Sequence, residues 1–311
     1  MDRVNGAGHV GNMFVNEDVA SSRPPTEVTP DWLNGVQEEI LSVIEGAGLA
    51  PNRATVNQLL QAIRLLSTGV VGSTRNLTML VAAASAGANI TADEIVVAAA
   101  LGGTSFRLGG FNKSINLGVV GVGGMDTGAA PASGYVAIYA IYNPSTKAAA
   151  LLATNATSAA QPEVYGGAHM PAGFTASALV SVWPTNSSGQ FAVGYQSGRK
   201  VSIVGAQVLS TSTQQVALTP LSIAGAVPKN AKMVGGFVGV SSTAVGSGSM
   251  SVATTASVGQ LLANVSVGQA TTSYSSPFAD LQIATVQTIY YTMSVNSGTM
   301  TGIVYISDYT F

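Results

Sequence analysis

Apolar residues in this chain repeat with two different periods, and the change comes near Leu77. Before it, the spacing is helical. Thr29-Pro30-Asp31 reads as a helix start: a hydroxyl cap, a proline suited to the first turn and a carboxylate at the positive end of the dipole. Leu33, Val36, Ile40, Val43 and Ala47 follow at intervals of three and four, and Gly46 and Gly48 stop the run. A second helix is predicted after Pro51, with Thr55 and Gln58 spaced as a capping box and Val56, Leu59, Ile63 and Leu66 on one face. Two helices this short are marginal alone. Their seams need each other, or the same helices of sister chains.

Beyond Leu77 the alternation has period two. Tyr135–Tyr142 reads as a strand ended by Asn143-Pro144, and Ala178–Trp183 with Gln190–Gln196 as a hairpin turning at Asn186–Gly189. Further strands are predicted at Lys200–Val204, Ala206–Leu209, Met233–Val240, Ser249–Ala253, Leu281–Val286, Thr288–Val295 and Gly302–Ser307. Turn signals recur roughly every ten residues, the spacing of a sandwich or jelly roll. The stretch from Gly123 to Pro131 reads as a linker, and Gly6, Gly8, Gly11 and Ser21–Pro25 mark an extended arm. The expected organisation is an arm (1–29), a helical head (30–75), a small β-domain (76–125) and a C-terminal β-sandwich (126–311).

Charge sharpens this division. Asp, Glu, Lys and Arg make up 8% of the 311 residues, against about 25% in a typical soluble domain. Of these 26, 13 lie between Asp2 and Arg75 and 13 are spread over the rest. So sparsely charged a body points to self-association, which removes surface from water. The net charge of −2 offers no basic field for nucleic acid or anionic lipid. Without cysteine there is no disulfide, thiolate metal site or Cys nucleophile. The N-terminus lacks the basic start and apolar stretch of a secretory signal, and polar residues interrupt Leu77–Leu101 well short of a membrane span. A soluble chain, not exported by a cleavable signal, is expected.

Catalytic signatures are scarce. No Gly-x-Ser-x-Gly elbow occurs, and Ser197–Lys200 matches Ser-x-x-Lys only formally, in a turn without companion motifs. His9 and His169 lack carboxylates at ligand spacing, so no metal or other cofactor is expected. Glycan hydrolysis needs two carboxylates about 5 to 9.5 Å apart. After residue 125 only Asp126, Glu163, Asp280 and Asp308 are available, each isolated in sequence. The glycines of 118–124 lack the Lys-Ser/Thr ending of a phosphate loop. The remaining candidates are aromatic residues among amides: Tyr165, Trp183, Tyr195, Tyr274, Phe278 and Tyr309, whose rings suit either a core or the face of a sugar.

Two stretches resemble a known family, the tail fibres of bacteriophages. Val28–Ile40, continuing through Ile44–Leu49 to Gln58–Ile63, is similar to the head region of many such fibres, as is Arg3-Val4-Asn5 with its glycine-rich sequel. Gly124–Gly128 leading to Tyr139–Pro144, with Leu221–Pro228, resembles a β-domain found in fibre C-termini. The resemblance implies an elongated homotrimer in the virion tail, assembled in the host cytoplasm. Its N-terminal arm would dock on the baseplate, and its β-domains would meet a host glycan, a host protein or a further tail protein. Leu33, Val36, Ile40, Val43, Leu59, Ile63 and Leu66 become the expected trimerisation seam. Tyr165, Trp183, Tyr195, Tyr274 and Phe278 become receptor-binding candidates. The chain is short for a fibre and has no collagen-like shaft. An adhesive, non-enzymatic role is the first expectation, and a tail-associated depolymerase of surface polysaccharide the alternative.

Overall fold

In the computed structural model, described over residues 2–66, 69–267, 270 and 272–311, strands take up 47% of the chain and helices 10%. The protein is therefore mainly β with a short α-helical N-terminal region, as the two periods predict. Contacts divide it into two compact units, Met1–Thr68 with Gly102–Ser105, and Gly69–Leu101 with Phe106–Phe311.

In the first unit, helix α1 spans Pro30–Gly46 and α2 spans Gln58–Leu66. Thr29 caps α1, its Oγ1 accepting from the Trp32 amide at 3.4 Å, with Pro30 in the first turn. Gly48, at φ 76°, closes the other end by donating to the Glu45 carbonyl at 2.8 Å. The expected capping box differs. Gln58 Oε1 accepts from the Asn52 amide at 2.8 Å and its Nε2 donates to the Ala50 carbonyl at 2.7 Å, so this side chain closes the interhelical loop. The arm is also more ordered than its composition suggests. The Glu27 amide donates to Ala7, and the Thr26 amide to Val15. Glycine permits this fold-back: a Cβ at Gly6 would sit 2.0 Å from the Glu27 carbonyl oxygen. Phe14 then meets Trp32 edge to face at 5.0 Å.

Among the described residues the second unit contains sixteen strands: β1 (Thr74–Arg75), β2 (Thr78–Val81), β3 (Gly87–Ala98), β4 (Ser105–Asn116), β5 (Tyr135–Asn143), β6 (Ala148–Asn155), β7 (Ala176–Pro184), β8 (Gly194–Ser197), β9 (Lys200–Thr211), β10 (Gln215–Ser222), β11 (Met233–Ser242), β12 (Gly246–Ala253), β13 (Leu261–Val267), β14 (Tyr274–Gln282), β15 (Thr288–Val295) and β16 (Met300–Thr310). Twelve form one sheet in the order β14-β11-β16-β9-β8-β2-β3-β7-β5-β6, with β1 and β4 also pairing β3. The other four form a second sheet, β10-β15-β12-β13, whose ladders are all antiparallel. The two sheets pack face to face, and small residues set the spacing. A Cβ at Gly248 would lie 3.1 Å from Val240 on β11, and one at Gly302 on β16 would lie 2.4 Å from the Met293 sulfur.

Most predicted strands are present, with informative differences. Lys200–Val204 and Ala206–Leu209 are one continuous strand, whose pairing with β16 shifts register between Ser202 and Ala206, across Gly205. The hairpin at Asn186 is short: the Asn186 amide donates to Gln190 and the Ala192 amide to Pro184. Beyond the tip, β7 pairs with β5 and β3 while β8 pairs with β2 and β9. Leu281–Val286 falls at the end of β14 and in the turn after it. The stretch expected as a linker is fastened to the core. Met125 is fully buried, the Asp126 amide donates to Ala153, and the Gly123 amide donates to Leu151. Residues on both sides of it therefore share one interior.

Candidate interaction surfaces

The helical unit leaves its seam open. Between the two helices only Ile44 and Ala62 are buried. Of the seven seam positions, Leu33 (52%), Ile40 (40%), Leu59 (37%), Ile63 (52%) and Leu66 (50%) are exposed, and Val36 and Val43 are half-buried. The sequence left open whether these seams meet each other or those of other copies. Within one chain they meet each other only in part. An apolar stripe this continuous on two short helices marks an interaction face.

The aromatic candidates separate sharply by environment. Trp183 is fully buried, its Nε1 donating to the Ala192 carbonyl at 2.9 Å, so no ring face is left for a ligand. Phe278 is buried on β14, and Tyr165 is buried in the loop between β6 and β7. Tyr309 is fully enclosed, donating to the Val182 carbonyl at 2.6 Å. Tyr274 is half-buried on β14, and only Tyr195, on β8, is broadly exposed. The candidates sit on separate elements and most of them build core.

Three of the four carboxylates after residue 125 are held by neighbours. Tyr165 Oη donates to Asp126 Oδ2 at 2.7 Å, and the His169 amide donates to Tyr165 Oη at 3.3 Å. Burial pushes the Tyr165 phenol up to about 12, and the hydrogen bond to Asp126 adds to the shift. Tyr139 packs edge to face on Tyr165 at 5.4 Å and donates to the Pro162 carbonyl. Beside them Glu163 forms a two-pronged pair with Arg199, at 2.9 and 2.7 Å. Arg199 occupies the tight turn between β8 and β9. Its Nε donates to the Phe311 carbonyl at 2.7 Å, and its guanidinium lies 4.6 Å from the centre of the Phe311 ring. A cavity of about 690 Å³ opens here, lined by Gly72, Glu163, Arg199, Lys232 and Phe311 among others. Asp308 pairs with Lys200 at 3.0 Å, whereas Asp280 is exposed at φ 53° on β14. Among the described residues no group of three or more His, Asp or Glu side chains is arranged to hold a metal ion.

A second concavity, of about 630 Å³, lies on the four-stranded sheet and has a different chemistry. Its side chains are Ser, Asn, Gln and Val, without a charge. Sequence reasoning missed it because β10 and β13 were not foreseen. The period-two run Gly246-Ser247-Gly248-Ser249-Met250-Ser251 carried the available signal: hydroxyls on one face, small or apolar residues on the other.

No protein-family model matches the chain, and no curated protein does. Among solved structures, the insecticidal crystal protein Cry7Ca1 of Bacillus thuringiensis is similar over 83% of this chain, at 9% identity and a TM-score of 0.19. The chain spans 55% of that protein's length. A likeness this distant carries no argument about fold or function.

Proposed function

We propose that the chain is a structural and adhesive subunit of a bacteriophage tail, a short tail fibre that assembles as a homotrimer. The observation that carries this reading is the open seam. Leu33, Ile40, Leu59, Ile63 and Leu66 are exposed in one chain, on the segment whose sequence resembles fibre heads. Three copies would bury these side chains against one another, as in trimeric helical bundles. The arm before Thr29 then serves the baseplate, and the β-unit faces the host or a further tail protein. Three of the four carboxylates after residue 125 already hold Tyr165, Arg199 or Lys200, so no local arrangement favours the depolymerase alternative.

Light scattering on the purified chain is expected to give three times its 31.3 kDa mass. The double variant Leu33→Asp/Ile63→Asp is expected to fall to monomer with its β-unit folded, because carboxylates buried in a seam are costly. A monomeric wild type would overturn the reading. Virions carrying a label after Phe311 should show it on the tail by electron microscopy.

A further inference from the structure

The uncharged concavity on the four-stranded sheet is built from cross-strand rows. Ser249 on β12 stands opposite Asn264 on β13 and Ser294 on β15, so these three side chains form one row. The next row contains Ser247 and Asn296, bound to each other through the chain. The Ser247 amide donates to Asn296 Oδ1 at 2.7 Å, and the Asn296 amide donates to the Ser247 carbonyl at 3.0 Å. Gly246 makes this possible, since a Cβ there would sit 2.2 Å from Asn296 Oδ1. At the rim, Gln214 Oε1 accepts from the Val295 amide at 3.2 Å. With both amide oxygens fixed on backbone donors, the Asn296 and Gln214 NH₂ groups are oriented and have no intrachain acceptor among the described residues. The side chains of Ser249, Asn264 and Ser294 likewise make no hydrogen bond within the described chain.

We infer that this concavity is a binding site for a neutral saccharide. Three features select that class. First, the row carries hydroxyls and amides, which donate and accept together, as the hydroxyls of a sugar do. Second, no charged residue occurs between Lys232 and Asp280, or between Asp280 and Asp308, so an ionic ligand meets no counter-charge. Third, Ser249 and Ser294 stand on β12 and β15, interior strands paired on both sides, and only Asn264 stands on an edge strand, β13. Along β12 and β15 the backbone edges are occupied, so recognition there falls to side chains. A volume of about 630 Å³ lies within the range of small-ligand sites. The inference rests on the tail-fibre reading only for the source of the sugar, a host surface glycan.

The test uses the full chain on an array of neutral oligosaccharides of glucose, galactose, rhamnose and N-acetylglucosamine, beside uronate- and sialate-bearing counterparts. Titration calorimetry with the strongest neutral binder follows. Neutral sugars are expected to bind, with an affinity insensitive to added salt. Ser249→Trp, which fills the concavity, and Asn264→Ala/Ser294→Ala, which removes its donors without adding volume, are each expected to weaken binding at least about tenfold. Both should keep the wild-type mass and far-ultraviolet circular dichroism. If Ser249→Trp does not fold, the alanine pair decides. An array silent for neutral sugars, binding confined to acidic ones, or full affinity in the alanine pair would overturn the inference. A change of oligomeric mass in either variant would also overturn it, by making this face a contact between copies. Label on the tail with a silent array removes only the saccharide site. Neutral-sugar binding by a chain absent from the tail removes only the tail-fibre reading.

Discussion

The helical unit and the β-unit handle their apolar residues in opposite ways. In the helical unit, two short helices, the first capped at both ends, bury Ile44 and Ala62 and leave most of a continuous seam in water. In the β-unit, every residue from Tyr135 to Ile141 is buried, and Trp183, Tyr139, Tyr309 and Phe191 are fully enclosed. Local propensity specifies the first unit and a long-range core specifies the second. Low charge therefore has two meanings here. Around the β core it accompanies a self-sufficient interior. The open seam lies in the more charged part of the chain, so the need for a partner follows from unburied apolar side chains and not from charge density.

The largest test of this contrast is Trp183→Ala. Removing a fully buried indole leaves a cavity and an unpaired Ala192 carbonyl, a loss of about 3 to 5 kcal/mol. The thermal midpoint of the β-unit should fall steeply in near-ultraviolet circular dichroism. Trp32, the other tryptophan, lies in the helical unit and becomes its sole fluorescent reporter. Its emission, and the assembled mass at low temperature, are expected to stay at wild-type values. If assembly is lost together with the β core, the two units are not independent and the contrast fails.

Alkaline pH offers a milder separation, because all ten tyrosines belong to the β-unit. Burial raises Tyr135, Tyr139 and Tyr309 well above the ordinary phenol range, and Tyr165 to about 12. Above pH 10 the unfolded chain sheds these protons while the folded one retains them, so the folded state binds more. Stability from these groups is complete below about pH 10 and declines as pH rises toward 12 and beyond. Absorbance at 295 nm should show these four phenols ionising in a cooperative step above pH 10, coincident with loss of β signal. Trp32 emission, in the helical unit, should not follow that step. Ionisation of these four near pH 10, without a cooperative step, would contradict the enclosed core.

The same contrast explains what could be read from the sequence. Helix boundaries depend on local chemistry, and Thr29, Pro30 and Gly48 act where their types predict. Thr288–Val295 alternates cleanly because one face of β15 packs on the other sheet, so its limits were legible to the residue. Partners were not. β7 beside β5, and β8 beside β9, arise from pairings that a hairpin signal at Asn186 does not encode. Exposure of the aromatics was equally hidden: Trp183 and Tyr195 both sit in period-two segments, yet one is core and the other surface. The uncharged concavity needs three strands in register, and only two of those strands were foreseen.

The smallest expected effect concerns how the β-unit spends its few charges. Arg199 binds two residues distant in the chain: Glu163 by two hydrogen bonds, and Phe311 by a third to its carbonyl and by the guanidinium face over its ring. With side-chain exposures of 29% and 42%, the Arg199–Glu163 pair is screened by water. The planar fork nevertheless fixes geometry that a flexible ammonium cannot. Arg199→Met is expected to cost about 1 kcal/mol and to loosen residues near Phe311 in hydrogen exchange. Lys200, next in the chain, makes one bond to Asp308 at 3.0 Å and is 43% exposed, so Lys200→Met should stay within about 0.5 kcal/mol. Equal losses at both positions would mean that charge alone, and not the fork and its carbonyl contact, secures this corner. A loss confined to Arg199 would show that so sparsely charged a unit places its ions where they close the sheet.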